Sequence, residues 1–306
     1  MTLLQKFLHL TNFHSPLLRT AVPSVAAAFA LQTAVAIPSI RAQSERFYDA
    51  SGSVTFLAVT ALSLYLPSLR ARAPFAIAAL NWRQLALSAA VAVWSIRLGS
   101  YLLARIQQTG HDSRFDGLRT SPPKFLAAWL GQATWVSLVL LPVIAVNAVP
   151  APAFAALPGV LATDVLGLAL LVGGFAFEVV ADRQKSAWLD QRRRKVHDEG
   201  FLTRGLWSRS QYPNYFGECT LWTGIATAAA GVLVRRPVQV GLGLSGGLSG
   251  RLLALALSFA SPAFTSFLLL KVTGVPLSET KYDKKYGDRK DYQEWKQNTP
   301  KFFPRL

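Results

Sequence analysis

Seven apolar runs, each close to 20 residues long, recur along this chain of 306 residues. A helix of about 20 residues spans the hydrocarbon core of a bilayer, which is about 30 Å thick. Because lipid offers the backbone no hydrogen bonds, repeated runs of this length form helices. The pattern therefore predicts an all-α, polytopic membrane helical bundle of about seven transmembrane helices. The predicted spans cover residues 21–40, 54–69, 84–104, 125–146, 160–180, 216–234 and 251–271.

The placement of charge supports a membrane protein and predicts its orientation. Only 16% of the residues are charged, against about 25% in a typical soluble domain. The net charge is +16, but the basic residues lie mostly between the apolar runs, so we expect membrane lipids rather than nucleic acid as partners. With seven spans, 23 of the 32 Lys and Arg residues fall on the side of the C-terminus. Positively charged segments favour the cytosol, so the C-terminus is predicted to be cytosolic.

The single cysteine, Cys219, excludes an internal disulfide. No cluster of His and Cys in the sequence has the spacing of a metal site. We therefore predict no bound metal and expect Cys219 to pack as a small apolar residue.

The most unusual local feature is the polar entrance to the sixth apolar run. It reads Tyr212-Pro-Asn-Tyr-Phe-Gly-Glu218, and its proline is suited to the first turn of a helix. Glu218 falls about one turn inside the predicted helix, where a carboxylate is costly unless it faces protein, water or a ligand. A simpler alternative is that Arg209, Asn214 and Glu218 only cap the helix and anchor it at the membrane interface.

Two pairs of polar residues are spaced to share one face of a helix. Glu178 and Asp182 are four residues apart, and Asn214 stands at the same distance before Glu218. Both pairs and Glu279 fall on the predicted cytosolic side, among basic residues and tyrosines. Arg and Lys pair with phosphate, carboxylates bind ribose hydroxyls, and tyrosine rings stack on bases. The set predicts a site for a phosphorylated nucleotide, the alternative being exposed ion pairs worth about 0–1 kcal/mol each.

These residues also carry a family resemblance. The run Gly205-Leu-Trp-Ser-Arg-Ser-Gln-Tyr-Pro-Asn-Tyr-Phe-Gly-Glu218 resembles the steroid 5-alpha-reductase-like C-terminal domain family, in its large membrane branch. The similarity extends over residues 84–306, which we predict to form the C-terminal membrane domain with its cytosolic tail, preceded by divergent transmembrane helices in residues 1–83. Further matching pieces are Arg97-Leu-Gly, Phe177-Glu-Val-Val-Ala-Asp-Arg-Gln-Lys185, Lys271-Val-Thr-Gly-Val-Pro-Leu-Ser-Glu279 and Thr299-Pro-Lys-Phe-Phe-Pro304.

The resemblance implies a multi-pass protein of the endoplasmic reticulum or of a bacterial inner membrane. Such enzymes bind NADPH on the cytosolic side and reduce a carbon–carbon double bond in a lipid or steroid-like substrate. That substrate would occupy an apolar cavity among the first four spans. The resemblance assigns no catalytic residue here, because the N-terminal part carries no matching motif. By motif position and surroundings, the cofactor-binding residues would be Asp182, Lys185, Arg209, Tyr212, Asn214, Tyr215, Glu218 and Glu279.

Two other functions stay open. The isoprenylcysteine carboxyl methyltransferases, which use S-adenosylmethionine, have a related C-terminal layout. They usually carry His before Pro-Asn, as this branch does, whereas this chain has Tyr212 there. A non-catalytic lipid-binding membrane protein that keeps the same fold is the third possibility. Binding of S-adenosylmethionine without NADPH would favour the methyltransferase.

Overall fold

The computed structural model describes residues 2–305, except for the side chains of residues 3 and 4. Within that range the chain forms twelve α-helices and no β-strand, together with short 3₁₀ turns and one π-helical turn, Leu268–Val272. The helices are α1 Leu3–Leu10, α2 Pro16–Arg41, α3 Tyr48–Arg70, α4 Trp82–Thr109, α5 Pro122–Asn147, α6 Ala151–Ala155, α7 Ala162–Arg193, α8 Pro213–Leu233, α9 Arg236–Gly241, α10 Leu248–Phe267, α11 Val275–Tyr286 and α12 Lys290–Asn298.

Six helical stretches in the described residues are long and apolar enough to cross a membrane. They are α2, α3, α4, α5, α7 and the stretch Leu248–Tyr286, which runs from α10 through α11. The predicted all-α, polytopic membrane fold is therefore confirmed. The predicted span 216–234 corresponds to α8, which is helical over 21 residues but is not among the six. Glu218 and three threonines, Thr220, Thr223 and Thr227, dilute its apolar content.

The described chain divides into two compact units. The first contains residues 2–161 and 229–261, and the second contains residues 162–228 and 262–305. This division is based on contacts in space, whereas the predicted domain boundary between residues 83 and 84 is based on motif resemblance. The predicted boundary stays a prediction.

In the first unit, helices α2, α3, α4 and α5 pack on one another. Local signals define the helix ends: α4 begins with a capping box between Asn81 and Gln84 and ends at Gly110 in the left-handed conformation. Polar side chains also tie the interior together. The Gln32 Nε2 donates to Thr55 Oγ1 at 2.7 Å, and Gln132 Nε2 donates to Gln32 Oε1 at 2.9 Å. Because these amides are buried and mutually satisfied, they fix one packing arrangement.

A cluster of ion pairs closes one end of the first unit. Arg114 contacts Asp112 at 2.7 Å and Asp49 at 3.2 Å, and Arg105 contacts the same two carboxylates. Burial alone would raise the pKa of the Asp112 carboxyl, but hydrogen bonds and charge from Arg114, together with Arg105, hold it below its usual range. The cluster therefore joins the start of α3 to the end of α4 and the loop that follows.

We predict that Asp112→Asn lowers the stability of the protein by about 1–3 kcal/mol at pH 7, because charged hydrogen bonds are lost. The folded-state pKa of Asp112 is lowered, so its stabilisation is complete above the unfolded-state pKa near 4 and disappears as the pH falls through the folded value. Thermal unfolding in detergent from pH 7 to pH 3 should show the difference shrinking. Asp116→Asn, at a carboxylate that is 58% exposed, is the control, and equal losses in both variants would contradict the assignment.

In the second unit, α7 and α8 pack backbone against backbone. A Cβ placed on Gly174 would lie 2.4 Å from the backbone nitrogen of Leu221, a distance that real side chains do not reach. Such contact is typical of helices that associate in lipid through small residues. The close pairs along the two helices are Gly167 with Ala228, Leu171 with Gly224, Gly174 with Leu221, and Glu178 with Gly217. They define a single antiparallel register.

Neighbouring glycines offer a matched test of this packing. Gly174→Ala should destabilise the protein by about 1–3 kcal/mol, because its methyl group would overlap α8. At Gly173 no atom of the described residues lies within 4 Å of the added Cβ. Gly173→Ala should therefore leave stability unchanged or raise it by up to about 1 kcal/mol through helix propensity. Unfolding midpoints in detergent measure both, and shifts of the same sign and size would contradict the register.

Candidate functional site

The site begins where α7 leaves the membrane core. The helix has 32 residues and is therefore about 48 Å long, against about 30 Å for the hydrocarbon core. Its polar part starts at Asp182 and so extends beyond the hydrocarbon. Glu178 and Asp182 are both buried, with 2% and 7% of their surface exposed. Buried carboxylates at a helix exit require a specific environment.

The register of α7 against α8 places both predicted polar pairs at the same level. Glu178 lies against Gly217. One turn further along α7, Asp182 comes level with the first turn of α8, because the two helices are antiparallel and rise equally per residue. Asn214 and Glu218 belong to those first turns. The two pairs that the sequence spaced four residues apart therefore stand at one end of the helix pair.

The loop before α8 is held against α7 by aromatic and polar contacts. The Trp207 Nε1 donates to the Ala181 carbonyl at 3.0 Å, and the Leu206 backbone nitrogen donates to Gln184 Oε1 at 2.9 Å. The Lys185 ammonium lies 4.9 Å from the centre of the Trp207 ring, a cation–π distance. The predicted residue Lys185 is thus positioned by the loop that carries Arg209 and Tyr212.

At the entrance to α8, two tyrosines stack and one amide oxygen lacks a partner. The rings of Tyr212 and Tyr215 are parallel within 2°, with centres 5.6 Å apart. Tyr215 also packs on Gly274, where a Cβ would lie 2.9 Å from its ring. The Oδ1 of Asn214 is buried and has no hydrogen-bond partner among the described residues. A buried acceptor without a partner is costly, so it suits a ligand that donates a hydrogen bond.

Glu279 joins this region from α11. Its carboxylate is 2.8 Å from the Lys301 ammonium. Burial, followed by the charge of Glu279, raises the pKa of the Tyr212 phenol above its usual value. The phenol therefore stays protonated at neutral pH and can donate a hydrogen bond.

The C-terminal segment docks on the loop before α8. The Gln211 Nε2 donates to the carbonyls of Lys296 at 2.9 Å and Thr299 at 2.7 Å, and its backbone nitrogen donates to Pro300 at 2.9 Å. The Arg305 backbone nitrogen donates to the Arg209 carbonyl at 2.9 Å. We call residues 299–305 the C-terminal strap. It fixes the loop from which α8 starts.

Aromatic residues stabilise the part of the second unit around the strap. Phe201, Tyr286 and Tyr292 form a buried cluster, with Trp295 packed against it. The Tyr292 hydroxyl donates to Asp283 at 2.7 Å. We call these four rings the aromatic cap. The cap joins the loop after α7 to α11 and α12.

All eight predicted cofactor-binding residues lie in the second unit. They come from α7, the following loop, the first turns of α8, and α11. Arg209 is exposed, and its backbone carbonyl accepts the hydrogen bond from the Arg305 nitrogen of the strap. Their joint role in binding a cofactor stays a prediction. Sequence reasoning missed Gln211, whose side-chain hydrogen bonds reach carbonyls 85 and 88 residues further along the chain. It also missed Lys301, whose ion pair with Glu279 leaves no local pattern in the sequence.

We predict that Gln211→Ala releases the C-terminal strap. The substitution removes two side-chain hydrogen bonds to strap and α12 carbonyls, at a cost of about 1–3 kcal/mol. Limited trypsin digestion followed by mass spectrometry should then show cleavage after Lys296 and Lys301 at least about tenfold faster. Gln297→Ala, at an exposed neighbouring glutamine, is the control. Equal cleavage of the two variants would show that Gln211 does not hold the strap.

The sequence model of a family described as protein of unknown function (DUF1295) matches residues 36–243 and 247–299. The match begins within α2 and includes every predicted cofactor residue. No curated protein and no solved structure matched the chain.

Proposed function

We propose that this chain, which belongs to the family of proteins of unknown function DUF1295, is a membrane NADPH-dependent reductase. It would reduce a carbon–carbon double bond in a lipid or steroid-like substrate. The observation that carries the proposal is that the α7–α8 register brings Asp182, Asn214 and Glu218 to the same end of the helix pair, where the buried Oδ1 of Asn214 has no hydrogen-bond partner among the described residues. The resemblance of the same residues to the steroid 5-alpha-reductase-like family supports the choice of cofactor.

The residues present fit a phosphorylated nucleotide. Asn214 Oδ1 offers a buried acceptor, which suits an amide or hydroxyl donor. Asp182 and Glu218 would accept from ribose hydroxyls, and Lys185 and Arg209 would supply positive charge for phosphate. The parallel rings of Tyr212 and Tyr215 offer a flat surface for a base. When bound, NADPH would supply the hydride.

The protein's own contribution is orientation and control of protons. The C-terminal strap and the aromatic cap restrict the loop that carries Arg209 and Tyr212. Tyr212 stands where the family that this block resembles usually carries His, and its phenol keeps its proton at neutral pH. It can therefore donate a hydrogen bond to a ligand but does not act as a base there. Glu178 and Asp182 are buried, so water has little access to these two carboxylates.

The long apolar helices support a location in a membrane. Six stretches suited to a membrane favour a substrate that dissolves in the bilayer. We propose that the protein resides in the endoplasmic reticulum or a bacterial inner membrane, with the C-terminus in the cytosol, where NADPH is available. With α8 counted as the sixth of seven spans, the excess of Lys and Arg on the C-terminal side supports that orientation.

Ligand binding to the purified protein in nanodiscs tests the proposal. We expect saturable quenching of tryptophan fluorescence by NADPH, and a loss of affinity of about tenfold or more in Glu218→Gln, since a charged hydrogen bond is removed. Glu294→Gln, at an exposed glutamate of α12, should bind as the unaltered protein does.

Two outcomes would point elsewhere. Binding of S-adenosylmethionine without NADPH would favour a methyltransferase of the isoprenylcysteine carboxyl type. Binding of neither ligand would favour a non-catalytic lipid-binding protein. Lipid extracts from cells with and without the protein, searched for a mass difference of two hydrogens, identify the substrate if NADPH binds.

A further inference from the structure

An exposed apolar segment connects α3 to α4 in the first unit. Residues 73–80 read Ala-Pro-Phe-Ala-Ile-Ala-Ala-Leu and contain no polar side chain. Seven of the eight are exposed, with Ile77 63% and Phe75 39% accessible. Eight consecutive apolar residues facing water would be an unusual surface. Something apolar therefore covers this segment.

The flanking helices show what covers it. Helix α3 ends at Arg70 and α4 begins at Trp82, and both are candidate membrane spans. The segment therefore turns back at the depth where these two spans leave the bilayer. The Trp82 indole, which donates to the Gly159 carbonyl at 3.1 Å, and the Tyr65–Phe75 ring pair are typical of the membrane interface.

The N-terminal helix is held at the same end of the first unit. The Arg70 guanidinium donates to the carbonyls of Leu8 at 2.9 Å and Thr11 at 3.1 Å. Leu10 is 78% exposed, and Phe7 and Phe13 are also exposed. Residues 73–80 and the N-terminal helix thus both expose apolar side chains at the same end of the first unit. A planar bilayer surface covers both together, whereas a partner protein would need a surface that fits the shape of both.

A groove lies directly behind the segment. It has a volume of about 280 Å³ and is lined by Ala79, Leu80, Phe154 and Ala155, among others. Its polar lining groups are engaged with the backbone: Asn81 Oδ1 accepts from the Arg83 nitrogen at 3.0 Å, and Gln84 Nε2 donates to the Asn147 carbonyl at 3.2 Å. Five of its seven lining residues have apolar side chains, which an acyl chain can contact.

We infer that residues 73–80 insert into the bilayer interface and that the groove behind them holds an acyl chain of a membrane phospholipid. This site lies at the end of the first unit formed by Arg70 and Trp82, whereas the ion-pair cluster of Asp49 and Arg114 lies at the other end. It is independent of the proposed reductase function, because none of the predicted cofactor residues lines it.

Site-directed spin labelling tests the insertion. Cys219 is buried, so a nitroxide attached to Ile77→Cys reports on the segment, with the unsubstituted chain as the labelling blank. In phosphatidylcholine nanodiscs we expect this label to be relaxed by oxygen and shielded from a water-soluble nickel chelate. The exposed loop position Ser113→Cys should show the reverse. Equal access of the nickel chelate to both labels would overturn the inference, as would strong dipolar broadening at Ile77→Cys, which would indicate a second copy.

Photo-crosslinking tests the groove. A phosphatidylcholine with a diazirine in its acyl chain should label Leu80 and Phe154, and Ala155→Trp, which fills the groove, should reduce that labelling at least about fivefold. Ala156→Trp adds the same ring at an exposed neighbour that does not line the groove and should leave the labelling unchanged. Labelling spread evenly over α3 and α4 in all three proteins would overturn the assignment. This result does not depend on NADPH, so its failure is separate from failure of the proposed function.

Discussion

The close contact of α7 and α8 is the constraint on which the candidate site depends. Glycines let the two backbones approach until a single methyl group on Gly174 would overlap Leu221. Helices in lipid gain little from burying apolar side chains against each other, so such close packing contributes much of their association. A contact of this kind also fixes the axial register, because a shift would bring larger residues into the glycine positions. The register in turn decides that Asp182, on one helix, stands level with the start of the other.

The register of α7 against α8 does not by itself fix the start of α8. Contacts with the rest of the second unit fix it. The loop before α8 contacts α7 through Trp207 and contacts the C-terminal strap through Gln211. Glu279 arrives from α11 and is paired with Lys301 of the strap. Four segments distant in sequence are thus interlocked around Tyr212 and Asn214, as a ligand site requires if its geometry is to be preorganised.

The sequence predicted what depends on local periodicity. Apolar runs identified the helices, and the spacing of four residues placed Glu178 with Asp182 on one face of α7. It could not predict which residues of α7 face α8, because glycine is as common in loops as at helix contacts. The polar run from Gly205 to Gln211 looked like a connecting loop, and only the folded chain shows Gln211 bonded to the strap. The sixth span is predicted from the length of its apolar run. Because of its threonines and Glu218, α8 is not among the described helices that are apolar enough to cross a membrane.

The arginines at the two ends of the first unit have different partners. At one end Arg105 and Arg114 are paired with Asp49 and Asp112, so charges of both signs form one cluster. At the other end the Arg70 guanidinium donates to backbone carbonyls that close the α1–α2 turn. The Arg70 guanidinium thus supplies hydrogen bonds to the carbonyls of the turn between α1 and α2, and lipid cannot supply such bonds. The surrounding side chains are then free to be apolar, and the segment between α3 and α4 is apolar throughout. The same residue type therefore supports ion pairing on one side of the bundle and insertion into the interface on the other.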